Sequence, residues 1–297
     1  MSLYMSIEKV DHPKGFAFAI VAYLLWGFLP IYMKALSHVP AAEVVAHRVL
    51  WSVPVAMIVL VALRRTSDLK NALRSKRVMG MALLTATLIS VNWLTYVYAI
   101  ATDRALDAAL GYYINPLFSV FLGFALLGEK LTQRQWIAIF LTVFAVAILT
   151  YEVGSLPWLS LILPISWGFY ALFKRSLPIG PNQGFLLEVL LLCPLAIVYL
   201  AYLFVMGEDH FVSINVSTTL LLMGCGMVTA VPLIVYANGA KLLKLSTIAM
   251  LQYIAPTLIF LVAVFVFGEE FGWAKKMAFP LIWVALIVFT SSSAKAR

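Results

Sequence analysis

Two stretches of the chain read almost alike: Leu110-Gly111-Tyr112-Tyr113-Ile114-Asn115-Pro116, and Gln252-Tyr253-Ile254-Ala255-Pro256. Their Tyr-Ile-x-Pro cores lie 140 positions apart, and twelve residues after each proline comes Gly-Glu, at Gly128-Glu129 and Gly268-Glu269. The same offset pairs Pro54 with Pro194 and Arg48 with Glu188, and an offset of 141 pairs Trp26-Gly27-Phe28 with Trp167-Gly168-Phe169. One such match is chance; several at one offset define an internal repeat. The chain therefore reads as two related halves, 1–151 and 152–297.

The material between these segments is what a bilayer demands. Of 297 residues 63% are hydrophobic and 11% charged, whereas a soluble domain is about half apolar and a quarter charged. Too little polar material exists to cover a soluble surface. The charges sit in short clusters between long apolar runs, a helical pattern and not the alternation of a membrane barrel. A 19-residue reading places ten spans near 15–36, 43–63, 77–101, 105–127, 132–151, 155–174, 184–205, 214–238, 245–268 and 273–293. The first is longer than a signal-peptide core and is read as a span. The Arg64–Arg77 segment is the longest and most basic loop. Of the 21 Lys and Arg, only Lys34, Arg48, Arg104, Lys275 and Lys276 fall in the outer half when the N-terminus is placed inside. The positive-inside rule then predicts both termini in the cytoplasm of a bacterial inner membrane. This placement accounts for the net charge of +8 without nucleic acid, since no basic, aromatic-interleaved soluble module exists. Cys193 and Cys225 lie inside apolar runs and read as small buried hydrophobes. No metal-spaced cluster or cofactor motif is present.

Five spans per half is an odd number, so the second half enters from the opposite side. The expected fold is an all-α membrane protein of two inverted five-helix repeats, related by a pseudo-two-fold axis in the membrane plane. Two similar halves in opposite orientation can exchange conformations, which opens a midplane site to each side in turn.

Together with Glu43-x3-His47-Arg48-x2-Trp51-Ser52 and Asn92-Trp93, the segments quoted above resemble the drug/metabolite transporter superfamily, in its ten-helix EamA branch and especially the RarD-type proteins. The likeness covers nearly the whole chain. It implies efflux of metabolites or drugs through a cavity between the halves, and it names no substrate.

Counting residues from each span entry at 1.5 Å per residue brings Trp26, Asn92, Pro116, Trp167 and Pro256 near the midplane. Pro116 and Pro256 read as symmetric kinks that free a backbone carbonyl; ordinary packing kinks are the alternative. Trp26 and Trp167 are unusual away from the interfaces, and either line a cavity or pack in the core. Asn92, Asn115 and Gln252 can glue helices or, with Tyr96, Tyr112, Tyr170, Tyr236 and Tyr253, contact a ligand. Aromatic walls with neutral amides suit small amphipathic solutes. Ionisable groups inside spans are gating or coupling candidates: Glu43, His47, Arg48, Asp107 and Glu188. The Glu43–His47–Arg48 cluster is placed in the outer third, where Glu43, Asp103 or Asp107 would partner Arg48; Lys174 or Arg175 would partner Glu188. His47 is a candidate proton carrier, although a static gate or interface contact is the preferred reading. The expected partners are a small-molecule substrate and the lipid bilayer, with oligomeric state open. A transporter is favoured over a passive channel, a membrane-embedded enzyme or a scaffold, because no catalytic motif gathers acid and base at one depth.

Overall fold

The computed structural model describes residues 11–62, 67–128, 130–243 and 245–294, and all regular structure among them is helical. In chain order the elements are α1 (Pro13–Lys34), α2 (Ala41–Ala62), α3 (Ser67–Arg74), α4 (Lys76–Ala101), α5 (Ala105–Leu127) and α6 (Gln133–Val153). There follow α7 (Trp158–Arg175), α8 (Pro181–Met206), α9 (Val216–Leu242), α10 (Leu245–Leu251), α11 (Ile254–Leu261) and α12 (Trp273–Ala294). Eight of these, α1, α2, α4, α5, α6, α8, α9 and α12, are long and apolar enough to cross a membrane. Their outward surfaces carry large apolar groups: Phe140, Leu195 and Ile287 are each more than two-thirds exposed. In water such a surface would aggregate, whereas in hydrocarbon it costs nothing.

The helices lie where the hydropathy reading places spans, with two differences. A short helix, α3, occupies the basic loop. The segment expected as one span over 245–268 is instead α10, a break at Gln252–Tyr253, then α11 running into a π-helical turn over Val262–Val266. The reason is Pro256. Lacking an N–H, it is accommodated in the first turn of α11, where no intrahelical partner is required. Pro256 thus follows a helix break and does not kink a continuous helix as expected, while Pro116 does sit inside the unbroken α5.

The packing pairs repeat themselves. The sequence offset relates α1 to α7, α2 to α8, α4 to α9, α5 to α10–α11 and α6 to α12. Under that exchange the contact of α1 with α9 becomes that of α7 with α4, and both occur. Likewise α1 on α11 corresponds to α7 on α5, and α2 on α9 to α8 on α4. The pairs α2–α8, α5–α11 and α6–α12 map onto themselves. The halves therefore interlock, each helix of one lying against helices of the other. The matched Trp-Gly-Phe motifs supply two close approaches, one in each half. A methyl added at Gly27 would lie 2.5 Å from the Leu258 side chain on α11, and one at Gly168 would lie 2.6 Å from the Phe118 ring on α5. Only glycine admits both contacts.

The face where α1 begins is called the first face, and the face where it ends the second. Of the basic residues that set the charge bias, Lys9, Arg64, Arg65, Lys244, Lys295 and Arg297 lie outside the described residues, as does Glu129.

Candidate functional site

Two cavities lined by described residues lie at the centre. One, of about 160 Å³, lies among α1, α2, α4, α5, α7, α9, α11 and Gln252 in the break before α11. The other, of about 820 Å³, runs from it towards the first face, where exposed Arg175 and Pro181 form part of its rim. Asn115, Trp167, Leu233, Tyr236 and Gln252 border both, so pocket and vestibule make one path.

The path stops short of the second face, which is tied across. Lys34 pairs with Asp103. Arg104 and Lys275 both reach the Asp107 carboxylate, at 2.7 and 3.2 Å. Glu269 accepts hydrogen bonds from the Ala105 and Leu106 N–H groups at 2.6 and 2.9 Å, capping α5. Glu43 accepts from the His210 backbone N–H at 2.7 Å, and its other oxygen meets His210 Nδ1 at 2.8 Å. Carboxylates on helix N-termini are stabilised by the free N–H groups and the helix dipole. Burial raises the Glu269 carboxyl above the usual 4.5, against the pull of those two N–H groups and Lys275.

Most sequence candidates converge on the path. Trp26 packs with Tyr23 and Tyr236, ring centres 5.7 and 5.5 Å away, to form one aromatic wall. Tyr96 and Tyr112, 5.8 Å apart, form another. Asn92 donates to the Leu163 carbonyl and to Ser166 Oγ, both at 3.0 Å, and accepts from Tyr112 at 3.4 Å. Its amide thereby holds α4 to α7, leaving little capacity for a ligand. Asn115 and Tyr96 differ: the Asn115 Oδ1 and the Tyr96 hydroxyl are buried without a hydrogen-bond partner. Pro116 and Tyr170 border the vestibule, and Pro256 borders the pocket. Tyr253 borders neither cavity.

Among the ionisable candidates, Glu188 pairs with Lys174 at 2.7 Å, as expected, and accepts from Tyr170 at 3.3 Å. Asp107 and Glu43 belong to the tied face. His47 is buried off the path. The indole N–H of Trp51 can only donate, so the 3.2 Å contact requires His47 Nδ1 to accept and the ring to be neutral in this arrangement. Arg48 departs from expectation. None of Glu43, Asp103 or Asp107 pairs with it. Its side chain lies in the pocket wall, its charge 4.9 Å from the Trp93 ring centre, and its Nε donates to Thr229 Oγ1 at 3.0 Å. The helix carries Arg48 inward from the second face because α2 packs directly on α9, which presents Thr229. Sequence reasoning missed Tyr23, Trp93, Thr229 and His210. Tyr23 was within reach, standing three residues before Trp26 on the same helix face; the other three make contacts between segments far apart in sequence.

Comparison with known proteins adds the lineage. Residues 13–151 match the EamA-like transporter family. The chain is 38% identical to an uncharacterized transporter of Vibrio cholerae over 99% of this chain and 97% of that one. It is 38% identical to Protein RarD of Escherichia coli over 93% of each. A chloramphenicol-sensitive protein RarD of Pseudomonas aeruginosa is 29% identical over 95% of each. A solved structure with 19% identity superimposes with a TM-score of 0.61, over 95% of this chain and 98% of its own, which shows a shared fold.

Proposed function

The chain belongs to the EamA-like transporter family, as a RarD-type member, and from that premise we propose that it is a secondary transporter exporting small amphipathic metabolites, such as amino acids or drug-like compounds. One observation carries the reading: a central pocket continues into a vestibule at one face and is tied shut at the other. A carrier caught in one of two alternating states has this form. The first face is the cytoplasmic one, on the Lys/Arg distribution, so this state takes up solute from inside, as the first step of the proposed export requires.

The ten-span reading counts α7 and the broken α10–α11 unit as spans alongside the eight long helices. Contacts that map onto themselves under the repeat exchange support two inverted halves. The structural difference between α5, continuous, and α10–α11, broken, is what such halves require: equivalent helices in different conformations, whose exchange opens the other face. A passive facilitator is the competing reading, and the ties at the second face argue against a standing pore.

The test is counterflow in liposomes carrying the purified protein. Amino acids, related amphipathic metabolites and chloramphenicol are offered with and without a pH gradient. Saturable exchange of one class is expected. Flux that rises linearly with concentration and ignores solute on the far side means a channel, and no flux for any solute overturns the transport reading.

A further inference from the structure

The charge inventory of the pocket is unbalanced. Arg48 is 3% exposed, and its Nη1 is enclosed without a hydrogen-bond partner. Among the described residues, no carboxylate borders the pocket or the vestibule. The acids closest along the fold are engaged elsewhere: Glu43 with His210, Asp103 with Lys34, Asp107 with Arg104 and Lys275. A buried guanidinium, which does not give up its proton, is costly without a counter-charge. The side chain is nonetheless held in one place, with Nε on Thr229 and its face over Trp93. Thr229 is itself fixed, donating to the Cys225 carbonyl at 2.7 Å. A fixed, uncompensated cation in a cavity wall is a recognition element for an anion.

On the same pocket the Tyr96 hydroxyl also lacks a partner. It is a second donor, suited to the other oxygen of a carboxylate. Around these donors the walls are aromatic, from Trp26, Trp93, Trp167 and Tyr236. At the entrance the exposed Arg175 favours anions over cations.

We propose that the transported solute is an organic anion, a carboxylate bound by Arg48 with the help of Tyr96, whose apolar or aromatic body rests against the surrounding rings. This rests on the transporter reading and names the substrate class of its site. It departs from the expectation of a neutral polar cavity, because sequence placed Arg48 in the outer third, away from the midplane. Planar guanidinium meets carboxylate with two parallel N–H donors, and removing the charge from such a solute leaves the cation buried and unpaired.

The experiment compares isosteres that differ in that charge. Quenching of intrinsic tryptophan fluorescence is measured on purified protein in chloride-free buffer, with phenylacetate against phenylacetamide and N-acetylphenylalanine against its amide. Each carboxylate is expected to bind at least about tenfold more tightly than its amide. Arg48→Gln is expected to abolish that preference while the amides bind as before, and Arg48→Lys to restore part of it. The comparison on unaltered protein stands even where a variant does not fold. Equal binding of acid and amide, or no binding of either acid, overturns the proposal. So does chloride alone titrating the same signal at the affinity of phenylacetate, since the site then takes inorganic anions. Saturable counterflow of chloramphenicol with no counterflow of any carboxylate also overturns it, while leaving the transporter reading in place.

Discussion

Single residues set the chemistry at each end of the path. At the second face Glu269 carries a pH dependence whose sign is definite. The folded protein holds the Glu269 proton to higher pH than the unfolded chain does. Between the usual 4.5 and that raised value the folded state binds more protons, so stability falls as pH rises through the window. Melting temperatures in detergent, taken across that window, should fall more steeply for the native protein than for Glu269→Gln. Parallel curves would mean that the carboxyl is not held above its ordinary range. Glu269 was visible in sequence as half of a repeated Gly-Glu pair, but its role as a cap was not, because Ala105 and Leu106 lie more than 160 residues away. Glu188 is the opposite case. Four to five residues from the start of a span and facing a basic helix end, it had few places to go, and Lys174 is where it went.

Helix pairs come next. The Trp-Gly-Phe repeat is legible as a pair of motifs, and the structure gives the glycines a common task, letting α1 approach α11 and α7 approach α5. Alanine at either position pushes into a neighbouring side chain, and overpacking of that kind costs about 1–3 kcal/mol. Gly27→Ala and Gly168→Ala should each lower the melting temperature, and by similar amounts if the halves are equivalent. Either variant melting like the native protein would show that the approach relaxes freely. The α10–α11 break was not readable. Hydropathy averages over a window and sees only an apolar run from 245 to 268, whereas the break depends on Pro256 taking a first-turn position and on the π-turn beyond it.

For the whole molecule, the uncompensated Arg48 has a consequence for the transport cycle. Passing between open states requires an occluded one in which the pocket loses its water. With a carboxylate bound, the charge is neutralised. Empty, the enclosed guanidinium loses the pocket water that still screens its charge, with no counter-charge to replace it. Exchange should therefore outpace net efflux. Release of preloaded phenylacetate from liposomes should accelerate about tenfold when unlabelled phenylacetate is present outside, a ratio equivalent to about 1.4 kcal/mol; equal rates with and without it would refute the unequal barrier. The sequence by itself determined that the chain is a helical membrane protein, where its apolar runs lie and which segments repeat. Those properties follow from composition and from a constant rise per residue, which are local. Which side of a helix faces the path, and which charge stands there without a partner, was decided only by tertiary structure. Arg48 shows why: depth along an axis is set by counting, but a long side chain takes its position from helices that arrive from the other half of the chain.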